Sequence, residues 1–221
     1  MARGNRLDAA GKRAFNGAMC NEFARTKSLD ELIAEFGAFS PPPAFEWESG
    51  ATPNDLDGKA SIRIRDTAAV VRWTGERLVG SMTTWAWPGP KGPPVFNFRS
   101  DGRDFSRSDR VLVPATGFYE YTTPALPKVK LKDQHLFTRA DGGWFWIAAV
   151  VQQGCFSLLT APPQGDVAPY HDRQIVTFGP QAGYDWLRGP SSAPLSAESA
   201  GTFKVETLRR DGVMLGQDLF G

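Results

Sequence analysis

Cysteine and histidine are scarce in this 221-residue chain, with two of each, Cys20, Cys155, His135 and His171. Two cysteines form one bridge at most, so no disulfide framework holds the fold, and a reducing compartment fits best. With all four residues far apart in sequence, a structural zinc site is also improbable, and the reading is of no metal and no cofactor. Long hydrophobic runs are missing as well. Gly, Pro or charge interrupts each apolar stretch, so no segment could cross a bilayer as a helix. Residues 1–18 carry Arg3, Arg6, Lys12 and Arg13 with no apolar core behind them, which argues against a secretory signal. An excess of one charge is lacking too. The formal net charge is +1, and a chain starting at Met19 would carry −2. A polyanion partner would therefore be gripped by a local patch rather than drawn by the whole molecule.

What is present reads as one globular domain. Hydrophobic residues make up 41% and charged residues 22%, ordinary for a soluble protein. Residues 1–19 read as an extension, a leader or a misassigned start, and 20–221 as a single domain. Ser28 and Glu31 have capping-box spacing, and Leu29, Leu32, Ile33 and Phe36 form a helical apolar stripe closed by Gly37. Residues 40–60, rich in proline, read as an irregular surface connection. Strands are expected around Ile62–Ile64, Val70–Trp73, Leu78–Trp87, Val95–Arg99, Val111–Val113 and Phe118–Tyr121. Trp144–Val151 and Phe156–Thr160 read as a hairpin, Gln181–Leu187 as a short helix weakened by Gly183, and Phe203–Leu208 as an edge strand. The fold class is α+β: a strand-rich, curved mixed or antiparallel sheet, or a partly open barrel, with peripheral helices.

Four segments carry chemistry: Met19-Cys20-Asn21-Glu22-Phe23, Asn97-Phe98-Arg99, Leu112-Val113-Pro114-Ala115-Thr116-Gly117-Phe118-Tyr119-Glu120 and His171-Asp172-Arg173. Each is weak alone. In this order, over roughly residues 19–190, they resemble the SRAP family, the SOS response-associated peptidases that sense abasic sites. The resemblance implies that Cys20 becomes the N-terminal residue and, with Asn97, Glu120 and His171, forms the catalytic set. Arg99 would hold DNA phosphate, with Arg103 and Arg107 close behind. It also implies that aromatic side chains near Trp85 and Trp87 lie against unstacked bases. An N-terminal cysteine offers an amine and a thiol on adjacent carbons, so it can close a five-membered thiazolidine on the aldehyde of an abasic deoxyribose. An internal cysteine cannot, because its nitrogen is an amide. Glu120 and His171 suit proton transfer. The implied partner is single-stranded DNA containing abasic sites, met by a cytoplasmic, DNA-associated monomer with no membrane contact.

Other readings of the same residues stand beside these. Cys20 and Cys155 could be buried thiols, with Cys155 read as core. His135 reads as structural. Asn97 could cap a turn, Arg99 could belong to an ordinary salt bridge, Arg173 could brace its loop against a carboxylate, and both tryptophans could be plain core. The sequence also departs from the family pattern. Asp101 stands where a glutamate is frequent, Gln174-Ile175 where methionine and proline often follow, and Ile64 where a base-wedging proline is common. Losing the proline after Arg173 predicts a less restrained His171 loop. Two other functions fit the same set: a thiol autopeptidase that removes its own leader, and a noncovalent module for single strands or junctions. The chemistry in either enzymatic reading is of hydrolase or lyase type.

Overall fold

A computed structural model describes residues 20–89, 92–190 and 195–215. The expected extension over 1–19 lies outside the described residues. Fifteen strands, numbered in chain order, build two sheets. The smaller runs β15 (Val213–Met214), β14 (Phe203–Arg210), β9 (Asp133–Arg139), β8 (Gly117–Thr122), β1 (Glu22–Arg25) and β3 (Lys59–Arg63). The larger runs β12 (Gln174–Ile175), β11 (Cys155–Ala161), β10 (Phe145–Gln152), β7 (Asp109–Ala115), β4 (Thr67–Trp73), β5 (Arg77–Trp85) and β2 (Ala44–Trp47). Two short strands join it at the side, β6 (Asn97–Arg99) parallel to β11 and β13 (Thr177–Phe178) antiparallel to β10. The larger sheet curves until β5 pairs, parallel, with β11, Phe156 opposite Trp85. This is the α+β, partly barrel-like architecture that the strand pattern predicts.

Alternation along the central strands explains why this sheet is buried on both faces. In β10, Phe145, Ile147 and Ala149 enter one core with Phe23, Phe118 and Phe137 of the small sheet, while Trp146, Ala148 and Val150 enter a second. A strand that packs on both sides reads as a continuous apolar run, as FWIAAVV does. The second core is covered by α1 (Leu29–Ala34), the 3-10 turn Glu35–Ala38 and α2 (Pro180–Arg188). Ser28 caps α1 in a full capping box with Glu31. Gly37 does not close this helix; α1 ends at Ala34 and Gly37 lies within the 3-10 turn. The β10–β11 hairpin turns on Gln153 and Gly154, both at positive φ, the geometry whose twist matches paired strands.

Other sequence expectations need correction. The stretch 40–60 holds β2, which pairs parallel with β5. Phe203–Leu208 lies within β14, which has β9 on one side and the two-residue β15 on the other. The expected strand through Trp87 stops at Trp85, because Ala86 takes φ +92°. That left-handed residue breaks the two-residue alternation. Trp85 and Trp87, which a regular strand would send to one face, enter different cores.

Candidate functional site

Cys20 sits just before β1, and the small sheet brings Glu120 to it. Phe23 of β1 pairs with Phe118 of β8, so the inner face of β8 presents Phe118 and then Glu120 toward the core that holds Cys20. The Cys20 thiol is enclosed and donates to the Glu22 carbonyl at 3.4 Å. Burial pushes its pKa up, and the nearby Glu120 carboxyl pushes it the same way. Glu120 is itself only 1% exposed. Burial raises its pKa well above that of an ordinary glutamate, the Cys20 backbone N–H and the Lys132 charge lower it, and the Asp172 charge raises it. Among the described residues neither carboxyl oxygen has a hydrogen-bond partner of regular geometry. A buried carboxyl without such partners is costly in its charged form.

Asn97 arrives from the other sheet. Its Nδ2 donates to the Cys20 carbonyl at 2.9 Å, while Oδ1 is enclosed with no partner among the described residues. β6 pairs with β11 so that Asn97 stands beside Leu158 of the inner core. Arg99, two residues on, shares that face of β6 and is exposed. The structure thus gathers Cys20, Asn97 and Glu120 into one cluster with Arg99 on its rim.

His171 is buried beneath its own loop. Its Nδ1 accepts the backbone N–H of Arg173 at 3.0 Å, with Asp172 Oδ1 also 3.0 Å away. Both contacts converge on this one nitrogen and hold the ring within its loop. The neighbouring Tyr170 lies 4.6 Å, centroid to centroid, from His135, and His135 stands directly across from Glu120 in the β8–β9 ladder. The His171 loop is therefore seated against the inner face that carries Glu120. Arg173 braces it, with Nη2 donating to Asp101 at 2.6 Å and to the Thr160 carbonyl at 2.6 Å. Asp101 accordingly serves Arg173 first and is only a weaker Coulombic neighbour of Arg99. The missing proline does not free the loop, since Gln174-Ile175 pairs with β11 as β12.

Several expected DNA contacts are not brought to this cluster. Trp85 is fully buried, its Nε1 donating to the Phe96 carbonyl at 2.9 Å and its ring stacked on Phe156. It is a core residue with no face to offer a base. Trp87 packs on Phe98 at 5.2 Å, and Arg103 covers the same Phe98 ring at 4.3 Å. Phe98 points to the face of β6 opposite Asn97, so Trp87 and Arg103 lie on the far side of that strand. Arg107 is exposed in the loop before β7. Cys155, partly exposed at the start of β11, packs against the edge of the second core.

Sequence reasoning missed a second carboxylate. Glu22, 4% exposed, accepts from Ser61 Oγ at 2.5 Å, from Arg63 at 3.3 Å and from the Tyr121 hydroxyl on the outer face of the small sheet. Burial and this carboxylate together push the Tyr121 hydroxyl well above its usual pKa. The signal was alternation: Tyr121, next to inward Glu120, must point outward like Glu22, next to inward Phe23. Among the described residues no group of His, Cys, Asp and Glu is arranged to hold a metal ion.

A two-sheet α+β fold that buries a cysteine against a carboxyl and an asparagine defines the class. The family model of the SOS response associated peptidases (SRAP) matches residues 19–209. The chain belongs to this family, which supports a function associated with DNA repair and abasic sites. Solved structures share the fold. A phage-related protein from Bordetella bronchiseptica aligns with TM-score 0.62 at 14% identity, over 86% of this chain and 95% of its own. A second Bordetella bronchiseptica protein gives 0.58 at 19%, over 86% and 100%. One from Bacteroides thetaiotaomicron gives 0.64 at 14%, over 87% and 93%. No curated protein matches the sequence significantly.

Proposed function

We propose that this protein captures abasic sites in single-stranded DNA as a covalent thiazolidine on Cys20, once Cys20 is the N-terminal residue. The observation that carries this reading is the Glu120 carboxyl buried beside both the backbone nitrogen and the thiol of Cys20. With the preceding residues gone, that nitrogen is an amine, whose reference pKa is about 7.7–8.0. The neutral amine attacks the sugar aldehyde. Glu120, kept protonated to higher pH by burial, delivers a proton to the departing hydroxyl, and water leaves as the protonated imine forms. The thiol then adds to the imine carbon, its proton passing to the Glu120 carboxylate. Asn97 holds the Cys20 carbonyl and so fixes the nucleophile. His171, held in its loop by the Arg173 N–H, is the group assigned to proton transfer at the sugar oxygen. Arg99 supplies a planar donor fork for a flanking phosphate. The protein acts as a monomer on DNA in the cytoplasm.

The test uses protein started at Met19 and single-stranded DNA with one abasic site. A denaturation-resistant adduct is expected, lighter by one water than the sum of its parts and absent from Cys20→Ala. Adduct at full yield with Cys20→Ala overturns the reading. Self-removal of a leader by the Cys20 thiol draws on the same pairing with Glu120. Intact mass after expression from Met1 separates it: loss of 1–19 that persists in Cys20→Ala assigns removal to another agent. Salt-dependent binding with no covalent species would leave only a noncovalent module.

A further inference from the structure

A cavity of about 430 Å³ is lined by Asn21, Glu22, Arg63, Ile64, Tyr121 and Lys132. None of these belongs to the set that the sequence motifs single out for phosphate. From this cavity we infer a second phosphodiester subsite, in which Arg63 and Lys132 hold the DNA backbone next to the captured sugar. The inference rests on the reading of single-stranded DNA as substrate and adds where the strand goes after the cysteine.

Position comes first. Asn21 is the residue after Cys20, and Lys132 lies close enough to Glu120 to lower its pKa. The cavity therefore lies near the reacting centre, with Glu22 and Tyr121 on the outer face of the small sheet and Cys20 and Glu120 on the inner one. Charge comes second. Two cations and one carboxylate line it, and the carboxylate is already engaged by Ser61, Arg63 and Tyr121. Arg63 reaches Glu22 only at 3.3 Å and its side chain is 69% exposed, against 6% for Glu22. Its Nε and Nη2 both donate to Glu22 Oε1, which leaves Nη1 for an outside acceptor. The segment leading to Lys132 adds Lys128 and Lys130, both exposed, with no acidic residue between 123 and 132. Around Arg99, by contrast, Asp101, Asp104 and Asp109 interleave the arginines. Positive charge thus gathers without an intervening acid from Lys128 to Lys132, while Arg63 has Glu22 and Asp66 beside it. Shape comes third. Ile64 and the ring of Tyr121, whose hydroxyl is tied to Glu22 and Gln134, give a fixed apolar wall suited to a sugar or a base face. A positive groove with a flat apolar wall is how single strands are held without reading sequence.

The experiment uses Met19-start protein and single-stranded DNA carrying a tetrahydrofuran abasic analogue, which has no aldehyde and reports binding alone. Kd is followed against salt. Removing one phosphate contact from a single strand lowers the slope of log K against log salt by about 0.7. Lys132→Gln and Arg63→Gln are each expected to weaken binding and lower the slope by about that amount, with Arg63→Lys restoring most of it. Glu22→Gln, which removes the negative wall, is expected to tighten binding, a direction that structural damage does not produce. Unchanged slopes in Lys132→Gln and Arg63→Gln, with wild type binding normally, overturn the subsite and leave the capture chemistry standing. Failure of wild type both to bind this DNA and to crosslink natural abasic DNA overturns the underlying reading instead.

Discussion

At the scale of single residues, Glu120 carries the most consequence. Its folded pKa is raised by burial, above the value near 4.3 of an unfolded glutamate. Below that pH both states are protonated and its full contribution to stability is present. As pH rises through and beyond it the native state must either keep the proton or hold a buried charge, so stability is lost progressively. Glu120→Gln has no proton to lose. Its melting temperature should therefore gain on wild type as pH is raised from about 4.5 to 8, read by thermal unfolding at matched salt. The same variant should form the DNA adduct roughly 100-fold more slowly, the usual scale for losing a positioned proton carrier. A flat stability difference across pH would mean that the carboxyl is ordinary. Likeness to a family segment, not alternation, singled out Glu120 in Gly117-Phe118-Tyr119-Glu120; alternation from Phe118 then places its carboxyl on the inner face of β8. Trp85 and Trp87 misled: their spacing promises a shared face, and nothing in the letters announces that Ala86 adopts φ +92°.

At the scale of elements, α2 shows how tertiary contact overrides propensity. Gly183 reads as a defect in a helix, costing about 1 kcal/mol against alanine. In the fold it lets α2 lie on the large sheet, where a Cβ would stand 2.2 Å from Cδ1 of Trp146. Trp146 is itself held there, its Nε1 donating to the Pro180 carbonyl at 3.0 Å. Gly183→Ala should therefore destabilise by about 1–3 kcal/mol despite its better helix propensity, measurable by urea unfolding. Stabilisation would show that α2 shifts freely. Helix α1 is legible from its capping box alone. The strands β2, β12 and β13 are not, because each is four residues or fewer and exists only by pairing with a long neighbour. Local pattern carries no record of such partners. β9 escapes notice for another reason: its inner face carries Asp133, His135 and Phe137, so polar residues stand where a core strand is expected to be apolar.

At the scale of the whole molecule, the site exists only because two sheets meet. Glu120 belongs to the small sheet and Cys20 leads into it, Asn97 belongs to the large one, and the His171 loop is tied to both, through Tyr170 to β9 and through Arg173 to β11. Sequence order alone could name these residues, by likeness to a family, but not say that Arg103 and Trp87 fall behind β6. The buried carboxyl of Glu120 has one more consequence. In the full chain its neighbour is the amide N–H of Cys20. Were the preceding residues removed, the same nitrogen would be an ammonium at mildly acidic pH, and its charge would draw the raised Glu120 pKa back down. The gain of Glu120→Gln over wild type as pH rises should therefore be smaller in the Met19-start protein than in the Met1-start protein, read by thermal unfolding. Shortening the chain would in this way turn a silent acid into a responsive one.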